Sequence, residues 1–125
     1  MPNLSPEQVM LFETARRVSH ERIAPIARRA EETDAHPDDL LELYLELGWP
    51  SITKPASHGG PGGGVTEWCL LMEAISEVSV ACAHILTHPS TYLLLDLLGT
   101  EEQKARLFPV LDTRWSSFMA SEKFT

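Results

Sequence analysis

The segment from Val80 to Leu98 constrains this chain more than any other. Across it only Asp96 carries a charge. A helix built from such residues is apolar nearly all round and must be buried by its neighbours. Pro89 lies inside the segment, where its ring removes a hydrogen bond and clashes with the preceding turn. The expectation is one helix over 80–98, bent or broken at Pro89 and ended by Gly99. The densest apolar run, Leu93–Leu98, is far too short to span a bilayer.

The rest of the chain supplies helices to cover it. Ser5-Pro6-Glu7-Gln8 opens a first helix: Ser5 caps, Pro6 suits the first helical position and Gln8 completes a capping box. Leu11, Phe12, Ala15, Val18, Ile23, Ile26 and Ala30 recur at helical spacing as far as about Glu32–Asp34. Pro25 interrupts the pattern and is expected to kink or split it. A second helix follows His36-Pro37, with Leu40, Leu43, Tyr44 and Leu47 as its stripe and Gly48 as its C-terminal cap. A third is expected from about Thr66 to Ser79, with Leu70, Leu71, Ala74, Ile75 and Val78 on one face. Thr100-Glu101-Glu102-Gln103 is a second capping box, starting a fifth helix that runs to about Leu111. Trp49–Gly64 holds five of the seven glycines and three prolines, so no regular element is expected there. The tail Trp115–Thr125 could form a short strand. The class is therefore all-α: one domain over 1–125, a bundle of about five helices, with no doubly wound sheet.

Composition narrows the functions. The net charge is −8, which disfavours nucleic acid and anionic membranes as partners. From Asp34 to Pro50 there are five acids and no Lys or Arg, which reads as a solvated helix face. Cys69 and Cys82 are the only cysteines and sit among apolar residues. They read as buried, reduced thiols of a cytoplasmic protein, with no disulfide and no metal. His58-Gly59-Gly60-Pro61-Gly62-Gly63-Gly64 invites comparison with a phosphate loop. No strand precedes it and no Gly-Lys-Ser/Thr is present, so it reads as a connecting loop. His84 and His88, four apart, share a face if the helix is continuous. The surrounding sequence offers no third metal ligand in register, so they read as core-edge or pocket-lining residues. Asp96 reads as a helix-end or inter-helix hydrogen-bonding residue. No catalytic triad or general base is identifiable. The apolar fourth helix and three tryptophans point to partners.

Several segments, in order, resemble the N-terminal domain of acyl-CoA dehydrogenases. Arg17–Ala27 (RVSHERIAPIA) is similar to the family's opening helix. Glu46-Leu47-Gly48-Trp49, Ile52-Thr53-Lys54-Pro55 and His58-Gly59-Gly60 follow the family's "ELG…I..P…GG" stretch. The helix around Glu73 resembles its "EE(L/I)" helix, and Gly99–Lys104 is close to its "GTEEQK". Ser121-Glu122 falls where the family has Thr-Glu beside the flavin. The resemblance covers essentially the whole chain. It implies an FAD-dependent dehydrogenase of acyl-CoA, or of an acyl-carrier thioester, built from this domain, a middle β-barrel and a C-terminal bundle. The last two are expected to be absent from this chain, and the catalytic base belongs to the bundle. Phe118, Ala120 and Ser121 carry over as flavin contacts. Cys82, Ala83, Leu86 and Ser90 carry over as one wall of the acyl pocket. Lys123 in place of the family's usual Pro, the Gly62–Gly64 run and His88-Pro89 depart from the pattern.

The resemblance implies a domain, or short subunit, inactive alone and part of a homo- or hetero-oligomer of fatty acid metabolism. Two further readings stay open: a non-enzymatic relic that dimerises or binds a dehydrogenase partner, and a small-molecule binding module. In each the fourth helix is expected to expose apolar surface.

Overall fold

A computed structural model describes residues 3–114. They form seven α-helical segments and, among the described residues, no strand. These are α1 (Pro6–Val18), α2 (Ala24–Thr33), α3 (Asp38–Leu47), α4 (Val65–Ser76), α5 (Val80–Ile85), α6 (His88–Leu98) and α7 (Glu101–Leu111). The expected bundle of about five becomes seven segments because two prolines divide the first and fourth helices. The expected tail strand, Trp115–Thr125, lies outside the described residues.

The two prolines act differently. Before Pro25 the first helix widens into a π turn over Ser19–Ile23, where the Ala24 N–H donates to the Ser19 carbonyl. One residue is thus inserted into the ladder ahead of the residue that lacks an N–H, and the helix resumes as α2. Ser19 is buried at this turn, and its hydroxyl donates to the Ala15 carbonyl at 2.7 Å. At Pro89 the helix breaks outright, and α5 and α6 are separate elements.

Both capping boxes form. Gln8 N–H donates to Ser5 Oγ at 3.1 Å, and Gln103 N–H donates to Thr100 Oγ1 at 3.1 Å. α4 starts one residue earlier than its stripe suggests and ends at Ser76. Glu67 reaches back to accept from the Gly64 N–H at 2.8 Å and from Gln8 Nε2 at 3.1 Å. The Gln8 hydrogen bond first, then that of Gly64, holds the Glu67 carboxyl below its ordinary range. The first turns of α1 and α4 are thereby joined. Further along, Arg16 Nε meets Glu77 Oε2 at 3.0 Å, so the two helices run parallel.

The acidic stretch is more than a solvated face. Glu46 pairs with Arg22 at 3.1 Å, and Asp39 pairs with Arg29. α3 thus lies antiparallel beside α2, with two of its acids facing the arginines. Each exposed pair contributes little, about 0–1 kcal/mol, but opposite charges at both ends favour this register over a slipped one.

The core gathers Ala15, Ile23, Leu40, Leu43, Tyr44, Trp49, Ile52, Leu71, Ala74, Ile75, Cys82, Ala83 and Leu86. The loop between α3 and α4 is less irregular than its glycines suggest. It holds two short 3₁₀ turns, Trp49–Ser51 and Ala56–His58. It folds back on itself through Gly62 N–H to Lys54 C=O and Gly63 N–H to Ile52 C=O, both at 2.9 Å. A Cβ at Gly60 would lie 2.3 Å from the Lys54 carbonyl oxygen, so the close approach of the two limbs requires a glycine there.

Gly60→Ala is therefore expected to destabilise the domain by about 2 kcal/mol, read as a lower urea midpoint. An unchanged midpoint would contradict this account of the loop.

Candidate functional site

The site is the joint between α5 and α6, and it begins with Pro89. A continuous helix would pair the Cys82 carbonyl with the Leu86 N–H and the Leu86 carbonyl with the Ser90 N–H. Here Leu86 N–H donates to Ala83 C=O at 2.9 Å, and Ser90 N–H donates to Thr87 C=O at 3.0 Å. The break leaves the carbonyls of Cys82 and Leu86 without helical partners. Side chains from other elements supply donors. Tyr44 Oη, on α3, donates to the Cys82 carbonyl at 2.7 Å. Trp68 Nε1, on α4, donates to the Leu86 carbonyl at 2.9 Å. Thr53 Oγ1, in the loop, donates to the Pro89 carbonyl at 2.7 Å. Burial pushes the Tyr44 phenol far above its ordinary value, with a smaller contribution from Cys82, so it stays a donor at all working pH.

The joint brings the expected pocket residues together, but not on one surface. Cys82, Ala83 and Leu86 belong to the core, with 3%, 2% and 0% of their surface exposed. Ser90 is half-buried, and its hydroxyl donates to the Thr87 carbonyl at 2.6 Å. The expected flavin contacts Phe118, Ala120 and Ser121 lie outside the described residues. His84 and His88 do not share a helix face: the break places them on different helices, His84 exposed and His88 buried. The His88 ring nitrogen Nε2 donates to the Leu111 carbonyl at 2.9 Å, so His88 serves packing between α6 and the end of α7. Cys69 is exposed rather than buried, while Cys82 is buried as expected.

The glycine loop offers no phosphate cradle. Gly59, Gly60, Gly62, Gly63 and Gly64 all donate their N–H groups within the chain, the last of them to Glu67. A phosphate loop needs those groups pointing outward.

A second polar cluster lies beside the joint. Asp112 accepts from Tyr92 Oη at 2.8 Å and from Lys54 Nζ at 2.7 Å. The Tyr92 ring stacks on Phe108 at 5.8 Å, and His58 covers Phe108 from the loop at 4.7 Å. A cavity of about 330 Å³ opens here, lined among others by Ser51, Lys54, Gly60, Tyr92 and Asp112. Partial burial raises the Asp112 carboxyl. The Lys54 and Tyr92 hydrogen bonds and the Lys54 and His88 charges more than offset that, so it ionises below its ordinary value. The cluster ties the loop to the ends of α6 and α7. Asp96 faces Lys104 between α6 and α7 with Nζ 3.7 Å away, an ion pair in place of the inter-helix hydrogen bond expected.

Among the described residues nothing covers the end of α6: Leu97 and Leu98 are 79% and 74% exposed. No helix among the described residues is long and apolar enough to cross a membrane. Two of the three tryptophans are used internally, Trp49 in the core and Trp68 at the joint.

An all-helical domain with a side-chain-capped break in its fourth helix, and bare leucines beyond it, is the class defined here. Residues 5–113 match the family described as acyl-CoA dehydrogenase, N-terminal domain. The chain belongs to that family. A Bacillus subtilis protein named acyl-CoA dehydrogenase is 33% identical over 116 residues, 87% of this chain and 29% of the relative. The benzylmalonyl-CoA dehydrogenase of Aromatoleum aromaticum is 34% identical over 108 residues, 85% of this chain and 29% of the relative. The cyclohex-1-ene-1-carbonyl-CoA dehydrogenase of Syntrophus aciditrophicus is 29% identical over 126 residues, 98% of this chain and 30% of the relative. The chain thus spans about three-tenths of the length of these relatives.

Tyr44 stood in the stripe of α3 and Thr53 in the family-like Ile52–Pro55 stretch, but no sequence pattern marked these two or Trp68 as donors to the joint. A buried hydroxyl in a loop and an indole at a helix start carry no spacing signal. Lys54 and Asp112 are 58 positions apart, and only the folded loop joins them.

The Asp112 carboxyl ionises below its ordinary 3.8 in the folded state. Its ionised form therefore contributes stability that is complete above about pH 5 and is lost as pH falls through the folded value. Urea midpoints of the wild type and Asp112→Asn are expected to differ most near neutrality and to converge in acid. A difference that grows in acid would contradict the assignment.

Proposed function

We propose that this domain forms one wall of the acyl-thioester site in an FAD-dependent acyl-CoA dehydrogenase. The observation that carries the reading is the joint between α5 and α6 in a chain of this family. On this reading Cys82, Ala83 and Leu86, which are buried, back the wall, and Ser90, which is half-buried, stands at its edge. The names of the three relatives above, each a dehydrogenase and two of them naming a particular CoA thioester, support an acyl-CoA substrate. An acyl-carrier thioester offers the same acyl group to the wall.

On this reading Phe118, Ala120 and Ser121 hold one edge of FAD, and the flavin, when bound, supplies the hydride acceptor. This chain's own residues exclude water from the acyl group and orient it. None of them acts as the catalytic base, which belongs to the remainder of the assembly. Leu97 and Leu98 are covered in that assembly, a cytoplasmic homo- or hetero-oligomer acting in fatty acid metabolism. The same bare leucines also suit a second reading, a non-enzymatic domain that dimerises or docks on a dehydrogenase subunit.

The test is the native assembly that contains this chain. It is expected to carry flavin absorbance that bleaches when an acyl-CoA is added. The chain of residues 1–125, mixed with FAD, is expected to emerge from gel filtration colourless. A native assembly without flavin would contradict the enzymatic reading and favour the docking domain. A yellow isolated chain would contradict the division of the flavin site.

A further inference from the structure

We propose that Thr53 and Trp68 are positioning residues for the acyl group, acting through the backbone of the joint; this rests on the dehydrogenase reading above. Pro89 prevents a straight helix but does not select one bend. Its ring bars helical geometry for the preceding turn, and a range of angles satisfies that constraint. The helix direction changes over Leu86 and Thr87, between Ile85 at the end of α5 and His88 at the start of α6; the Leu86 carbonyl lies in that turn and the Pro89 carbonyl in the first turn of α6. Each carbonyl accepts one side-chain donor, from Trp68 and from Thr53. The donors come from different elements, α4 and the loop after α3, and hold the turn itself and the helix start that follows it. Leu86 itself adopts φ −82° and ψ 62°, outside the helical region, and the Trp68 indole fixes the carbonyl that this turn releases.

The consequence concerns Ser90 and Leu86. Ser90 is oriented by its bond to the Thr87 carbonyl, so its place on the wall follows the joint. Leu86 is fully buried and fixes the other end of the wall. Losing either donor leaves the core side chains in place but lets the angle between α5 and α6 vary. A displacement of that kind acts on substrate seating, because the wall contacts the acyl group equally before and during the reaction.

The experiment uses the native flavin-containing assembly and an acyl-CoA as probe. Thr53→Val keeps the shape and removes the hydroxyl; Thr53→Ser restores it. Trp68→Phe keeps an aromatic ring and removes the N–H donor. Thr53→Val and Trp68→Phe are each expected to raise KM about tenfold with kcat within about twofold. Thr53→Ser is expected to return KM to within about twofold of the wild type. Should Thr53→Val fail to fold, Trp68→Phe carries the same comparison. An unchanged KM in both donor-less variants would overturn the proposal, as would a Thr53→Ser enzyme no better than Thr53→Val. A fall in kcat at constant KM would also overturn it. A wild-type assembly whose flavin is never reduced by acyl-CoA overturns the dehydrogenase reading and this proposal with it, which separates that failure from the others.

Discussion

A proline has no N–H to give, and at position 89 that lack shapes the domain. The helix from Val80 cannot continue to Leu98, so the carbonyls of Cys82 and Leu86 lose their helical donors. Leaving such groups buried and unpaired costs about 1–3 kcal/mol each. The fold meets this with Tyr44 and Trp68, and Thr53 adds a third bond at Pro89 itself. The three donors lie on α3, on α4 and in the loop between them. The loop must then fold tightly enough to bring Thr53 inward, which is why glycines allow its limbs to touch near Lys54. Helix packing, loop closure and the broken helix are one coupled arrangement.

The same break divides the fourth helix into two surfaces of different character. α5 anchors in the core through Cys82 and Ala83 while Val80 stays exposed, and α6 begins in an aromatic and polar cluster and ends with Leu97 and Leu98 in solvent. The cluster of Tyr92, Phe108, Asp112 and Lys54 fixes α6 against α7 and the loop without extending the main core. A domain that leaves Val80 at one end of this segment and Leu97 and Leu98 at the other in solvent is suited to be one part of a larger body. That agrees with a chain spanning about three-tenths of its relatives.

Much of the fold was legible in the residues. Ser5 and Gln8, and Thr100 and Gln103, announced two helix starts through short-range bonds that depend only on spacing. The stripe Leu40, Leu43, Tyr44 and the cap at Gly48 gave α3 its bounds for the same reason. Pro25 and Pro89 were visible as interruptions, but their different outcomes were not. Whether a helix widens or breaks depends on which distant groups donate to the released carbonyls, and those partners lie 18 to 38 positions away. The burial of Cys82, Ala83 and Leu86 beside a half-exposed Ser90 was hidden likewise, since a continuous helix would have aligned them differently. The acidic stretch is the exposed face expected, but its pairing with Arg22 and Arg29 was hidden, because they face Glu46 and Asp39 only once α2 and α3 are laid antiparallel.

Family membership rests on the match over residues 5–113, and the physical account rests on the capped break. The most direct measurement of that account is hydrogen exchange at the Trp68 indole N–H in the folded chain. If this N–H is bonded to the Leu86 carbonyl, it exchanges as slowly as the backbone amides of the core, released only when the domain unfolds. Exchange at the rate of a solvent-exposed indole, with the core amides still protected, would show that the break is not held as described.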